Sequence, residues 1–270
     1  IPQQVLQTIE KERITVVGQV PAQYILLFMQ PDFDSYDLSS VRYAVASGAP
    51  VPPELIEEIR EKMGVTPVIG YGLTETSGAI TFTRQEHAPE KIATTIGIPN
   101  QGIDVRIMSP ERVEVPRGEA GEIAVRGDAV MKGYYNQPEA TAEVFDADGF
   151  FYTGDMGFMD EEGFVHILGR KKEMYIRGGE NVYPPEVEEV LLQHPKVLFA
   201  AVLGYPDPVM GEKGRAYIVP QPGAEVTEEE IKAFCRERLA DFKVPDQVVM
   251  RESLPLTPLG KVHKFLLYEE

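Results

Sequence analysis

The 270-residue sequence has one cysteine, Cys235, and only four histidines. A single cysteine excludes an intrachain disulfide and the cysteine-rich types of zinc site, and it suits a reducing, cytoplasmic location. His87, His166, His194 and His263 have no partner at metal-ligand spacing. The alternating run around His166 favours a satisfied strand position for that residue over a ligand. A GxSxG nucleophile elbow is also missing.

Long apolar runs and basic charge are in short supply as well. No apolar stretch approaches the roughly 20 residues of a membrane-spanning helix, and residues 1–13 lack the layout of a signal peptide. The sequence has 26 Lys and Arg against 43 Asp and Glu, a net charge of −17. Such a charge disfavours nonspecific attraction to nucleic acid or anionic lipid. We therefore expect a soluble protein with no transmembrane segment and no nucleic-acid partner, in which any anionic ligand meets local basic sites.

Residues 1–95 alternate helical and β-rich patterns, which predicts α/β layering around a parallel sheet. The predicted helices are 2–12, 21–29 and 53–63, and the short β-rich runs are 41–46 and 66–69. Loops after such strands commonly bind ligands. This places candidate ligand loops at Ser47–Pro50 and Gly70–Glu75.

The pattern changes twice further along the chain. Residues 96–169 show short alternating runs between Gly, Pro and Asp turns, which predicts a β-barrel-like or small antiparallel subdomain. After Arg170, helices at 185–193 and 227–240 and strands at 197–203 and 215–219 predict a compact α+β domain. The predicted organisation is an α/β part (1–95), a β-rich part (96–169), a boundary at 170–172 and an α+β domain (173–270).

Two segments in these regions carry side chains suited to binding a nucleotide. IGYGLTETSGA (69–79) combines glycines, hydroxyls and Glu75, which could hold Mg²⁺ through oxygen. A Gly/Thr turn with an exposed acid explains the segment equally well. Asp155 in YTGD could accept hydrogen bonds from a vicinal diol such as ribose, although an Asx-turn is the simpler interpretation.

Three further segments also admit an ordinary explanation. Gly169-Arg170-Lys171-Lys172 fits a solvated basic run. Gly178-Gly179 fits a hairpin turn between residues 174–177 and Val182. Lys261 could deliver one cation to a phosphate, or it could be an exposed lysine near the end of the sequence. Taken one at a time, these segments do not decide for a site.

Taken together and in order, six segments resemble the adenylate-forming acyl- and aryl-CoA synthetase family, which also contains peptide-synthetase adenylation domains and luciferases. The segments are YGLTE (71–75), GEIAVRG (121–127), GYYNQPEAT (133–141), YTGD (152–155), GRKKEMYIRGGENVYPPEVE (169–188) and PLTPLGK (255–261). In this family ATP and a carboxylate give an acyl-adenylate and pyrophosphate, and a thiol, usually coenzyme A, then displaces AMP. The resemblance implies ATP/AMP, Mg²⁺ and coenzyme A as cofactors, and a small carboxylate and coenzyme A as partners. It specifies neither the acid nor the oligomeric state.

The resemblance also implies roles for individual residues. The implied nucleotide-contacting residues are Ser47, Gly48, Ala49 and Pro50 around adenine, Tyr71 on the adenine ring, and Asp155 with Arg170 at the ribose. The implied catalytic residues are Thr74 at the α-phosphate, Glu75 as the Mg²⁺ ligand, and Lys261 at the α-phosphate and carboxylate. Lys172 takes the hinge position of a mobile carboxy-terminal domain, and Gly178, Gly179 and Glu180 lie along the pantetheine arm of coenzyme A.

One family feature is missing from these 270 residues: the Ser/Thr/Gly-rich phosphate loop, a TSGTTGxPK-like stretch that precedes YGLTE in relatives. Together with a start that is not Met, this predicts that residues 1–169 are the end of a large amino-terminal domain, and that the chain is impaired when alone. Two alternatives stay open, a peptide-synthetase-type adenylation domain and a noncatalytic nucleotide- or partner-binding module. The segment at 169–188 favours the CoA-ligase form.

Overall fold

The computed structural model describes residues 1–256 and 262–268. The chain divides into two compact units. The first comprises Ile1–Thr153 and Gly157–Ile167, and the second comprises Gly154–Met156 and Leu168–Glu270. Within the described residues, no helix combines the length and the apolar character needed to cross a membrane.

The first unit opens with alternating helices and strands, as the sequence predicts. Its helices are α1 (Pro2–Glu12), α2 (Pro21–Phe28), α3 (Pro53–Met63) and α4 (Pro89–Thr94), and its first strands are β1 (Val16–Gln19), β2 (Tyr43–Ser47), β3 (Val68–Leu73), β4 (Gly78–Phe82) and β5 (Ile98–Pro99). Each of these helices has proline in its first turn, where the missing N–H leaves no helical hydrogen bond unmade. The three predicted helices are confirmed to within one residue.

These five strands form a sheet in the order β1-β2-β3-β4-β5. The predicted parallel pairing is confirmed for β1, β2 and β3, and β4 adds to this sheet by pairing antiparallel with both β3 and β5. Only a short turn separates β3 from β4, and a parallel crossover needs a dozen or more residues. Buried Tyr24 ties α2 to the parallel strands, since its hydroxyl lies 2.8 Å from the Val17 carbonyl and 3.1 Å from the Val45 carbonyl.

A second sheet contains β6 (Asp104–Met108), β7 (Gly121–Arg126), β8 (Phe151–Met159) and β9 (Val165–Arg170) in that order, with helix α5 (Pro138–Val144) between β7 and β8. Residues 121–125 of β7 are all buried. The predicted β-rich region is thus confirmed as an open four-stranded sheet, and the described residues do not close it into a barrel.

The second unit is an α+β domain, as predicted. Its elements are β10 (Tyr175–Arg177), β11 (Glu180–Val182), α6 (Pro184–Leu192), β12 (Val197–Asp207), β13 (Gly211–Pro220), α7 (Glu228–Arg236), β14 (Gln247–Met250) and α8 (Phe265–Tyr268). The sheet order is β11-β10-β13-β12, and β14 pairs parallel with β13. Thr227 caps α7, because its hydroxyl accepts the Glu230 N–H at 3.2 Å. Buried Val187 and Leu191 of α6 and Ile231 of α7 belong to one core cluster.

Candidate functional site

The carboxyl ends of β2 and β3 bring two of the predicted ligand segments to one edge of the first sheet. Ser47, the last residue of β2, is the register partner of Gly70 in β3. The chain leaves β2 through Gly48, whose φ of +81° favours glycine. The predicted adenine loop, Ser47–Pro50, therefore lies at the end of a parallel strand, where ligands of α/β proteins usually bind.

The segment Gly70–Leu73 is strand, not the predicted loop. β3 continues through it and pairs with β4, with a register irregularity between Tyr71 and Gly72. A side chain at Gly72 would overlap the backbone of Gly78, so glycine is required by this close approach. Tyr71 is half-buried and packs against the apolar cluster that includes Ile80 and Val105.

Thr74 and Glu75 lie in a single 3₁₀ turn, Thr74–Thr76, directly after β3. The buried Thr76 hydroxyl fixes this turn: it accepts the Leu73 N–H at 2.9 Å and lies 2.8 Å from the Gly78 carbonyl. Thr74 is exposed at the surface. The backbone of the turn is thus held firmly while the Thr74 hydroxyl stays accessible.

Two groups from a distant segment hold Glu75. The Tyr134 hydroxyl donates to Glu75 Oε1 at 3.0 Å, and the Met131 N–H donates to the Glu75 carbonyl at 2.7 Å. Burial, with a contribution from Glu75, raises the pKa of Tyr134, so its hydroxyl remains a donor at neutral pH. Among the described residues, no group of three or more His, Cys, Asp or Glu could hold a metal ion. The single carboxylate of Glu75 is the kind of ligand that Mg²⁺ takes, since this ion binds one or two carboxylates and completes its shell with phosphate and water.

Asp155 lies inside strand β8, so the Asx-turn interpretation is wrong. Its carboxylate is buried and accepts a hydrogen bond from Arg170 Nε at 2.8 Å. Gly154, with a φ of +73°, precedes it, and its carbonyl accepts the Lys171 N–H at 2.9 Å. Asp155 and Arg170, 15 residues apart, are thus brought together in the second unit.

The basic run around the predicted hinge divides into two environments. Arg170 ends β9 and faces Asp155, whereas Lys171 and Lys172 are exposed in a turn. The Arg170 carbonyl closes this turn by accepting the N–H groups of Glu173 and Met174 at 3.0 and 3.1 Å. The solvated-run interpretation thus holds for Lys171 and Lys172 only.

The Gly178-Gly179 pair forms the predicted two-residue hairpin turn, between β10 and β11. Both glycines have positive φ, 61° and 93°, as this class of turn requires. Gly178 donates its N–H to the Met210 carbonyl at 2.8 Å, and a Cβ at Gly178 would meet the Met210 methyl at 2.7 Å. A Cβ at Gly179 would meet nothing within 4 Å, and neighbouring Glu180 is exposed.

The predicted catalytic residue Lys261 lies outside the described residues. The chain on either side of residues 257–261 is fixed, because Leu256 pairs with Val262 and the His263 N–H donates to the Pro255 carbonyl at 2.8 Å. Three residues after Lys261, Lys264 Nζ lies 2.8 Å from Glu188 Oε1 and 3.2 Å from Glu173 Oε2.

The sequence did not predict the contacts of Tyr134 or of Lys264. Tyr134 is 59 residues from Glu75, and no periodicity or spacing links residues so far apart. The sequence feature that could have pointed to Tyr134 is the segment GYYNQPEAT, which is one of the six segments of the family resemblance but had no residue with an assigned role.

The family models of known proteins match this chain twice. The model of the AMP-binding enzyme matches residues 1–135, half of the chain, and that of the AMP-binding enzyme C-terminal domain matches residues 186–261. The chain belongs to the AMP-binding enzyme family. The resemblance based on six motifs is confirmed.

Several members of this family are similar over almost the whole chain. A feruloyl-CoA synthase of Amycolatopsis is 44% identical over 263 residues, which are 97% of this chain and 53% of that protein. The mitochondrial medium-chain acyl-CoA ligase of Homo sapiens is 41% identical over 268 residues, 98% of this chain and 43% of that protein. The chain spans about half the length of the curated relatives it matches.

Among solved structures, the o-succinylbenzoate CoA synthetase of Bacillus subtilis in complex with its acyl-adenylate intermediate matches with a TM-score of 0.88 at 34% identity. The match covers 99% of this chain and 53% of that one.

Proposed function

We propose that this chain is part of an AMP-forming acid–thiol ligase, which makes an acyl-CoA through an acyl-adenylate. The observation that carries the proposal is the common sheet edge of Ser47–Pro50 and Thr74–Glu75, segments to which the family pattern gives adenine and phosphate contacts. The similar feruloyl-CoA synthase and medium-chain acyl-CoA ligase support the formation of an acyl-CoA as the reaction class.

In the first half-reaction a carboxylate oxygen attacks the α-phosphorus of ATP, and the bond from that phosphorus to the pyrophosphate oxygen breaks. Because both reactants are anionic, the site must supply donors and cations where charge develops. The exposed Thr74 hydroxyl donates to an α-phosphate oxygen, and Lys261 neutralises charge on the same group. Glu75 is the protein ligand of Mg²⁺, which neutralises phosphate charge when bound.

In the second half-reaction the thiol sulfur of coenzyme A attacks the acyl carbon, and the carbon–oxygen bond to AMP breaks. Asp155 holds the ribose hydroxyls of the nucleotide, with Arg170 keeping its carboxylate in place. Gly178 and Gly179 leave room for the pantetheine arm, since the turn has no side chains. Lys172 is the pivot between the conformations that serve the two half-reactions.

Exchange of labelled pyrophosphate into ATP, measured on the complete gene product with a panel of carboxylic acids, tests the first half-reaction. We expect exchange with a subset of acids, and we expect Lys261→Ala to reduce it by at least about a hundredfold because one transition-state cation is lost. A matched control is Lys196→Ala, in which a lysine 42% exposed in the second unit is removed. Normal exchange in Lys261→Ala would rule out the role given to this lysine.

The acceptor is tested separately, by mixing enzyme-bound acyl-adenylate with coenzyme A or with simple amines. Amines are included because one similar structure, 37% identical, is that of an amide bond synthetase from Marinactinospora thermotolerans. Thioester formation supports the ligase proposed here. Exchange activity with transfer only to amines would retain the adenylation step and overturn the thiol acceptor, and no exchange with any acid would overturn the whole proposal.

A further inference from the structure

We propose that Tyr134 is a positioning residue for the metal-binding carboxylate of Glu75, and that residues 131–134 with Thr141 form a support for it. This support rests on the proposed function, since it presumes that Glu75 holds a divalent cation beside a nucleotide. It gives the GYYNQPEAT segment, which otherwise only marked the family resemblance, a physical task.

The support makes two hydrogen bonds to Glu75. Tyr134 donates its phenolic proton to Glu75 Oε1 at 3.0 Å, and the Met131 N–H binds the Glu75 carbonyl at 2.7 Å. One contact orients the side chain and the other fixes the backbone that carries it. The 3₁₀ turn is therefore held from outside by this segment and from inside by the Thr76 hydroxyl.

Tyr134 is itself held by its own segment. Its N–H donates to Thr141 Oγ1 at 2.9 Å, and the Thr141 hydroxyl donates to the Gln137 carbonyl at 2.8 Å at the start of α5. Gly133 has a φ of +146°, and a Cβ there would meet the Thr141 methyl at 2.7 Å. Glycine at 133 and threonine at 141 thus belong to one arrangement that aims the phenol at Glu75.

The phenol leaves one carboxylate oxygen for a cation. Oε1 accepts the Tyr134 proton, and the described residues make no hydrogen bond to Oε2. A carboxylate bound in this way cannot rotate freely, so its second oxygen keeps one direction. Groups that orient a metal ligand in this manner commonly change metal affinity or activity by about 10- to 100-fold when removed.

The test is Tyr134→Phe in the complete gene product, with Mn²⁺ as the probe. Binding of Mn²⁺ in the presence of a non-hydrolysable ATP analogue, followed by electron paramagnetic resonance, reports the site without turnover. We expect the dissociation constant of Mn²⁺ to rise by about tenfold. We expect the Mg²⁺ concentration that half-saturates pyrophosphate exchange to rise by a similar factor.

Tyr135→Phe is the matched control, because the neighbouring tyrosine is 89% exposed and its hydroxyl has no described partner. It should leave both quantities unchanged. Glu75→Gln supplies the second test: in that background, Tyr134→Phe should add no further loss of Mn²⁺ affinity, because the two residues act through one contact.

The two proposals fail separately. If wild-type protein shows no exchange but its Mn²⁺ affinity still depends on Tyr134, the proposed reaction is wrong and the support stands. If wild-type protein exchanges and Tyr134→Phe binds Mn²⁺ with unchanged affinity, the support is overturned. Equal losses for Tyr134→Phe in the wild-type and Glu75→Gln backgrounds would also overturn it, since the phenol would then act elsewhere.

Discussion

Arg170 Nε lies 2.8 Å from Asp155 Oδ1, and the Asp155 side chain is only 4% exposed whereas that of Arg170 is 43% exposed. A buried carboxylate needs such a partner, because an unpaired charge in the interior is strongly disfavoured. The half-exposed arginine brings solvent-accessible positive charge to the same place. The pair therefore gives the buried carboxylate inside strand β8 a cationic partner that reaches solvent.

Asp155→Asn should weaken nucleotide binding by about tenfold or more, because a charged acceptor is replaced by a neutral amide. It should also lower the free energy of unfolding by about 1–3 kcal/mol. Titration calorimetry with AMP and urea denaturation measure the two effects. Asp104→Asn is the control: Asp104 is 34% exposed and pairs with Arg106 and Arg126, so its loss should cost at most about 1 kcal/mol and leave AMP binding unchanged. Equal AMP affinities for both variants would show that Asp155 does not hold the nucleotide.

Gly179→Leu should abolish most thioester formation from preformed acyl-adenylate while leaving pyrophosphate exchange near normal. The leucine has room in the free protein, since a Cβ at 179 meets nothing within 4 Å, so the expected obstruction is to the pantetheine arm. Rapid mixing of enzyme-bound adenylate with coenzyme A measures this step, and we expect a rate lower by at least about tenfold, about 1.4 kcal/mol in the barrier.

Gly223→Leu is the control that distinguishes obstruction of the pantetheine arm from backbone strain caused by a leucine at positive φ. Gly223 also has a positive φ, 78°, and open space around it, close to the φ of 93° at Gly179. Both variants should therefore lose about 1–2 kcal/mol of stability, and only Gly179→Leu should lose thioester formation. A Gly223→Leu enzyme equally poor at thioester formation would point to strain as the cause.

Protonation of Asp160 in acid should make the first unit less stable. Burial alone would raise the pKa of Asp160, but hydrogen bonds from Lys91 Nζ (2.7 Å), His166 Nε2 (3.1 Å) and the Phe164 N–H outweigh it and hold the pKa well below its usual value. A depressed pKa contributes stability that is present above the unfolded pKa of about 3.9 and is lost as the pH falls toward the folded pKa.

Asp160→Asn should therefore lower the free energy of unfolding by about 1–2 kcal/mol at pH 7, and the difference from wild type should shrink below about pH 4. Urea denaturation of both proteins at a series of pH values measures it. A difference that stayed constant down to pH 3 would mean that the aspartate charge contributes nothing.

The sequence predicts those features that depend on local pattern. The helix at Pro53–Met63 and the hairpin at Gly178-Gly179 each follow from residues a few positions apart. Contacts between distant residues could not be predicted in this way. The antiparallel pairing of β3 with β4 was not predicted, because the residues GYGL are compatible with both a strand and a loop. The hydrogen bond from Tyr134 to Glu75 was not predicted, because it joins residues 59 positions apart.

Removal of the Lys264 charge should destabilise the second unit. The Lys264 side chain is 17% exposed between Glu188 (18%) and Glu173 (32%), at 2.8 and 3.2 Å. Burial alone would lower the pKa of Lys264, but the two carboxylates outweigh it and raise the pKa, so the lysine stays charged. Lys264→Met would leave two like charges close together and mostly buried, at a cost of about 2–4 kcal/mol in urea denaturation at pH 7.

Two comparisons sharpen this prediction. Lys196→Met removes a lysine that is 42% exposed and lies 2.9 Å from Glu230, so it should cost at most about 1 kcal/mol. Adding Glu188→Gln to Lys264→Met should restore part of the stability, because one of the two unpaired charges is removed. Since a raised lysine pKa gives stability that is present below the unfolded pKa of about 10.4 and lost above the folded one, wild type should lose its advantage over Lys264→Met only in strong alkali. An advantage that stayed constant into strong alkali would mean that the stability comes from the packing of the Lys264 stem and not from its charge. An advantage that disappeared already near pH 9 would mean that the pKa of Lys264 is not raised.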